Sequence, residues 1–316
     1  MTAAGRAVVF AYHDVGVRCL SMLLAHEVEV ALVVTHEDDP GENVFFASVA
    51  GLAGLAGIPV VTPRQANTPE LKARLRALRP DWLFSFYYRH LLDEELLATP
   101  RAGAFNLHGS LLPKYRGRAP VNWAVLHGER ETGATLHRME PKPDAGAILS
   151  QRRVPILPND TAHQVFAKVV VAAELALEDA LPGILADDIV ETPMDLAAGS
   201  YFGGRRPEDG RISWHNGAWE IHNLIRAVAP PYPGAFTELA GGGNRLQLLG
   251  SYYRNEPAKG AAPRIYWEQG ACHADCIDGR RLRLTRLALD GEPLDEAAFR
   301  ARFGARLLFD QPGKPT

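Results

Sequence analysis

Two hydrophobic periods alternate over the first 90 residues, and this alternation limits the chain to very few folds. Residues 7–12, 28–35, 58–61 and 81–87 are short, nearly continuous apolar runs. Between them, Val17, Leu20, Leu23 and Leu24 recur on one helical face, and 45–56 and 69–78 read as further helices. Apolar strands separated by helices predict a parallel sheet covered on both faces. Right-handed crossovers make that sheet Rossmann-like. A dinucleotide site is not expected in it. The first turn reads Tyr12-His13-Asp14-Val15-Gly16, with one glycine where a pyrophosphate needs bare backbone.

The second half changes character. A helix opens at Asp160-Thr161-Ala162-His163-Gln164, where Thr161 and Gln164 have capping-box spacing, and runs to about residue 181. Residues 186–200 show no period and read as a linker. Beyond it lie one helix, at 218–227, and strands at 235–239, 246–253, 264–267, 271–277 and 281–288. Turns at Gly241-Gly242-Gly243 and Asp278-Gly279 separate strands. The predicted architecture is α/β: a Rossmann-like, mostly parallel sheet with helices on both faces over 1–200, then a small OB-like β-barrel over 201–305 and a tail at 306–316.

Hydrophobic residues make up 47% and charged residues 22% of the 316, as in soluble globular chains. The net charge of −3 argues against a broad nucleic-acid surface or docking on anionic membranes. No apolar run is long enough to span a bilayer, and the N-terminal run is too short for a signal peptide. Three cysteines, Cys19, Cys272 and Cys276, build no disulfide framework and fit a reducing cytoplasm. Cys272-His273-Ala274-Asp275-Cys276 has no second ligand pair elsewhere, so no metal site is expected.

Chemistry concentrates in Ala104-Phe105-Asn106-Leu107-His108-Gly109-Ser110, a strand running into a loop. Alternation puts Asn106 and His108 on one face, about 6–7 Å apart along the strand. Open α/β sheets place their sites beyond such strand ends. Asp144 stands in a turn, Pro143-Asp144-Ala145-Gly146. On spacing alone, a histidine satisfying a core hydrogen bond and an aspartate making a turn are the plainer explanation of these residues.

Phe105–Pro113, with Asp144 thirty-six residues after His108, resembles the signature of folate-dependent formyltransferases. The segments Phe10–Asp14, Phe84–Leu91, Lys114–Pro120 and Gly204–Asp209 are similar to the formyltransferase half of ArnA-type polymyxin-resistance proteins. The resemblance implies formyl transfer from 10-formyltetrahydrofolate to UDP-4-amino-4-deoxy-L-arabinose, in the modification of lipid A. It makes Asn106, His108 and Asp144 the catalytic set. It puts folate against His90, Leu91, Leu92, Arg118, Glu140, Pro141, Lys142 and Pro143. The sugar nucleotide is assigned to Tyr12, His13, Arg205 and Arg206, with the two arginines as a diphosphate clamp. Asn106 would stabilise the oxyanion, His108 would move the proton, and Asp144 would favour imidazolium at His108. The dehydrogenase/decarboxylase half of those proteins is not expected here, and homo-oligomerisation stays open. The competing readings are a methionyl-tRNA formyltransferase, a transferase for another nucleotide-linked amino sugar, a silent folate- or nucleotide-binding protein, and a formate-releasing hydrolase. A tRNA enzyme would carry more lysine in its barrel than the single Lys259.

Overall fold

The computed structural model describes residues 5–38, 44–239 and 244–309. The turn read at 241–243 and everything beyond 309 lie outside the described residues. The chain divides into two compact units. One comprises Met1–Pro120, Glu131–Val154 and Phe166–Gly203; the other comprises Val121–Arg130, Pro155–Val165 and Gly204–Thr316.

In chain order the elements begin with β1 (Arg6–Ala11), α1 (His13–Ala25), β2 (Glu29–Val34), α2 (Val49–Leu55), β3 (Val60–Val61), α3 (Pro69–Leu78), β4 (Trp82–Phe86) and α4 (Glu94–Leu97). They continue with β5 (Gly103–His108), β6 (Arg116–Gly117), α5 (Pro120–Leu126), β7 (Glu131–Arg138), β8 (Ile148–Pro155), α6 (Ala162–Ala186) and β9 (Tyr201–Phe202). The main sheet of the first unit has the order β3-β2-β1-β4-β5-β7-β8. Its strands run parallel from β3 to β5, and β7 then pairs antiparallel with β5. A parallel ribbon of β6 and β9 stands apart from it.

Residues 7–11 of β1 are wholly buried, as a strand covered on both faces must be. Val8 and Phe10 pack with Leu71 and Leu75 of α3 and Leu96 of α4. On the other face, α1 comes so close that a Cβ on Gly16 would lie 3.1 Å from the Cβ of Ala11 and 2.9 Å from Val49. The lone glycine of the first turn therefore serves helix packing. The segment 12–16, read from the sequence as a turn, is the entry to α1, which begins at His13. The helix expected from residue 45 begins at Val49, because the Ser48 hydroxyl caps it by accepting from the Gly51 N–H.

The second unit continues with α7 (Ala218–Ala227), β10 (Ala235–Glu238), β11 (Arg245–Pro257), β12 (Arg264–Glu268), β13 (Ala271–Asp275), β14 (Arg280–Leu289), β15 (Glu292–Pro293), α8 (Glu296–Phe303) and β16 (Arg306–Leu308). The antiparallel order β10-β11-β14-β13-β12-β16 curls into a half-barrel, in keeping with the expected barrel-like second half. Residues 306–308, read as the start of a tail, pair with β12. Among the elements that escaped the periodicity are β7, α5 and α8. In β7 small and polar residues are buried alongside Leu136, α5 is one short stretch, and α8 buries only Phe299.

Two buried polar side chains of α7 organise this unit. Arg226 is 2% exposed; it donates to the carbonyls of Asp160 and Val125, to that of Leu157 at 3.5 Å, and to the Asn223 Oδ1. His222 is fully buried. Its Nε2 donates to the Pro158 carbonyl and its Nδ1 accepts from the Ser251 hydroxyl. Burial lowers the His222 pKa from its ordinary 6.5 to about 4. The unfolded chain therefore binds this proton more readily than the folded one. The stability His222 contributes is complete above about pH 6.5 and is lost as pH falls toward 4. Thermal midpoints measured from pH 7.5 to 4.5 should fall over that window. The fall should be shallower in His222→Gln; an equally steep fall in that variant removes His222 from the pH dependence.

Candidate active site

Strand β5 ends at the centre of the main sheet, and its last residues supply Asn106 and His108. The antiparallel register with β7 sets Asn106 opposite His137 and His108 opposite Thr135. The Asn106 Nδ2 lies 3.1 Å from the His137 Nε2, and the His137 Nδ1 lies 2.8 Å from the Arg138 carbonyl. A carbonyl only accepts, so Nδ1 carries the proton and Nε2 is the acceptor for the Asn106 amide. Burial lowers the His137 pKa to about 4, against the opposing pull of Asp144, which keeps that neutral tautomer in place. One N–H of Asn106 is thus committed to His137. The second N–H and the carbonyl oxygen of the same carboxamide are fixed in direction.

His108 is buried, and its Nε2 donates to the Tyr115 carbonyl over 2.8 Å. Its Nδ1 faces the Asp144 Oδ1 at 3.5 Å; the same oxygen lies 3.7 Å from the His137 Nε2. Nδ1 is therefore the ring nitrogen left to exchange a proton, and a carboxylate stands beside it. The other carboxylate oxygen of Asp144 accepts the Gly117 N–H at 2.9 Å. Asp144 holds a left-handed φ of 51°, a conformation that aspartate tolerates better than most residues. The three residues anticipated from the sequence are thus brought together. The sequence reading missed His137, and the only signal for it was the unread strand β7.

A second network steadies the loop after β5. The Thr135 hydroxyl donates to the Ser110 carbonyl and accepts the Leu112 N–H, while Gln151 donates to Thr135 and to the Leu112 carbonyl. A Cβ on Gly109 would lie 1.9 Å from the Tyr87 hydroxyl oxygen.

The residues assigned to folate divide. Leu92 is buried in the core cluster with Ala104 and beside Tyr88 and Met139, whereas Leu91 is exposed and offers its carbonyl to Asn67. The two do not form one apolar slot. His90 lies edge-on to His36 and Tyr88, which stack on each other at 4.2 Å. The Tyr88 hydroxyl and the His90 Nδ1 are buried without a hydrogen-bond partner among the described residues. Burial pushes the Tyr88 pKa up to about 12. Arg118, Glu140, Pro141 and Lys142 are exposed and Pro143 is half-buried.

Of the residues assigned to the sugar nucleotide, Tyr12 is buried, donates its hydroxyl to Asp38 and lies under the Arg89 guanidinium. His13 stacks on Phe46 at 4.0 Å. In the second unit, Arg205 and Arg206 have different roles. Arg205 lies over the Trp123 ring at 4.7 Å, and its buried Nε has no partner among the described residues. Arg206 caps a short 3₁₀ turn through its backbone N–H, which donates to Asp209.

Among the described residues, no group of three histidine, cysteine or acidic side chains is arranged to hold a metal. Burial pushes the thiols of Cys272 and Cys276 up to about 12 and that of Cys19 higher still. None of them is a ready nucleophile. No described helix is long and apolar enough to cross a membrane.

Comparison with known proteins places this geometry in a family. The model of the formyl transferase family matches residues 18–181, and that of the formyl transferase C-terminal domain matches residues 205–302. The fold is similar to that of an N-formyltransferase from Helicobacter canadensis in complex with folinic acid and dTDP-3-aminofucose. That likeness has a TM-score of 0.72 and 22% identity, and covers 89% of this chain and 98% of the other. The sugar 3N-formyltransferase WlaRD, solved with dTDP and 5-N-formyl-THF, gives 0.71 and 21%, over 89% of this chain and 97% of its own. A 4-N-formyltransferase from Francisella tularensis gives 0.63 and 18%, over 76% and 95%. Since the N-terminal family model alone spans more than half of the chain and ends beyond Asp144, this protein belongs to the formyl transferase family.

Proposed function

We propose that this formyl transferase moves a formyl group from 10-formyltetrahydrofolate to the 4-amine of UDP-4-amino-4-deoxy-L-arabinose. The observation that carries this reading is the convergence of Asn106, His108 and Asp144 at the end of β5. Three sugar N-formyltransferases share the fold, two of them solved with folate derivatives and thymidine nucleotides, which supports a nucleotide-linked amine and a folate donor. The 204–209 segment and the likeness to ArnA-type proteins favour the uridine-linked 4-amino pentose within that class. The single lysine of the second unit's barrel region and the net charge of −3 disfavour tRNA.

The chain's own groups suit the step. The free amine attacks the formyl carbon, and negative charge develops on the formyl oxygen. Asn106 can aim its remaining N–H at that oxygen, because His137 has already fixed the carboxamide. His108 can pass the amine's proton through Nδ1 toward the departing folate nitrogen, with Asp144 stabilising the charged ring between the two transfers. The orphaned Tyr88 hydroxyl and His90 Nδ1 suit the polar edge of the pterin.

Product analysis with a panel of UDP- and dTDP-linked amino sugars and charged initiator tRNA separates the readings. UDP-4-amino-4-deoxy-L-arabinose should be formylated fastest and the tRNA not at all. Formylation of the tRNA alone would overturn the assignment, and formate release without an amine would make the chain a hydrolase.

Replacement of the site residues gives a second check. Asn106→Ala should lower turnover by about 10²–10³, as loss of a single oxyanion donor does. His108→Ala should cost roughly 10²–10⁴. His137→Leu removes the hydrogen bond that orients Asn106, together with the bond to the Arg138 carbonyl, and should cost about two- to tenfold. Folate affinity should hold in all three. Wild-type turnover in folded His108→Ala would take proton transfer away from this residue.

A further inference from the structure

The loop 113–118 reaches both His108 and Asp144. The Tyr115 carbonyl accepts from the His108 Nε2, and the Gly117 N–H donates to the Asp144 Oδ2. The relative placement of imidazole and carboxylate is therefore set by the shape of this loop, from which neither residue comes.

The loop does not hold that shape by itself. Tyr115 at φ 57° and Ala119 at φ 52° occupy the left-handed region, where a side chain costs energy. Gly117 stands at φ 97°, and a Cβ there would lie 2.2 Å from the Phe202 carbonyl oxygen. Such conformations persist only where neighbouring structure over-determines them. The neighbour is a stretch more than 80 residues downstream. Ser200 donates its N–H to the Pro113 carbonyl, accepts the Tyr115 N–H on its hydroxyl at 2.9 Å, and accepts the Arg116 N–H on its carbonyl. Phe202 accepts the Arg118 N–H, and its ring stacks on Tyr115 at 5.3 Å.

We propose that residues 199–202 form a positioning strap for formyl transfer. By holding the 113–118 loop, the strap sets His108 and Asp144 together, and Ser200 is its principal positioning side chain. Among the described residues its hydroxyl is the strap side chain that hydrogen-bonds the loop, and it binds the residue whose carbonyl anchors His108. The proposal rests on the catalytic reading of His108 and Asp144 given above.

Ser200→Ala removes the acceptor of the Tyr115 N–H and leaves every backbone bond of the strap able to form. Turnover should fall about ten- to a hundredfold, as expected when a reacting group is displaced by a fraction of an ångström. KM for both substrates should stay within about twofold, because Ser200 bonds only the backbone of Pro113, Tyr115 and Arg116, none of which is assigned to either substrate. Ser200→Thr keeps the hydroxyl and should restore most of the turnover. Phe202→Ala removes the stack on Tyr115 and should lower turnover in the same KM-neutral way. Imidazole nitrogen NMR should show the His108 Nε2–H···O=C signature weakened in Ser200→Ala. Wild-type turnover in folded Ser200→Ala overturns the strap, as does a loss that only tracks the unfolded fraction. If His108→Ala and Asp144→Asn also keep wild-type turnover, the catalytic reading fails instead; if they lose it while Ser200→Ala does not, only the strap fails.

Discussion

Where β7 pairs with β5, Asn106 stands opposite His137 and His108 opposite Thr135. The rest of the site follows from that antiparallel register. One step of slip would turn every side chain of β7 to the other face. His137 would then leave Asn106, and Thr135 would leave the carbonyl of Ser110 and the amide of Leu112 that it now joins. The parallel strands before β5 need no such precision. Their side chains are apolar on both faces and serve burial.

Buried polar groups in the two units meet the same cost in different ways. His137 and His222 each donate from one ring nitrogen to a carbonyl and accept on the other, so each is most stable neutral. Burial reinforces this, because an imidazolium would be poorly solvated there. Arg226 cannot shed its charge in that way and spreads it over three carbonyls and a carboxamide oxygen. Asp144 differs from all of these. It is an anion held by one backbone N–H, with its other oxygen turned toward two imidazoles. The carboxylate of Asp144 thus stands between two imidazoles, and hydrogen bonds to neutral groups fix the geometry around it.

The left-handed residues follow a similar division. Asp144 and Tyr115 lie within a few residues of the groups they place, and each is held by hydrogen bonds from outside its own segment. A loop of this kind is rigid because distant backbone is bonded to it, although its local sequence would favour other conformations.

Much of this was legible in the amino-acid order. Alternating periods specified the parallel sheet, because burial on both faces leaves a continuous apolar run that nothing else explains. Helix α3, with Thr68 before Pro69, and helix α7 matched their expected limits, since caps and amphipathic spacing are local signals. Asn106, His108 and Asp144 were found through a motif, and two of them share one strand. The strand at 306–308 was not legible, because it depends on which edges pair. His137 was hidden in a strand where small and polar residues are buried among its neighbours, so no periodicity marked it. The separate surroundings of Leu91 and Leu92, and of Arg205 and Arg206, were equally invisible, since adjacent identical residues differ only in what they touch. Sequence determined which elements form and which chemical groups are available. Tertiary structure alone decided tautomer, orientation and the hold of residues 199–202 on the 113–118 loop, because hydrogen bonds between segments 80 residues apart leave no periodic trace in either one.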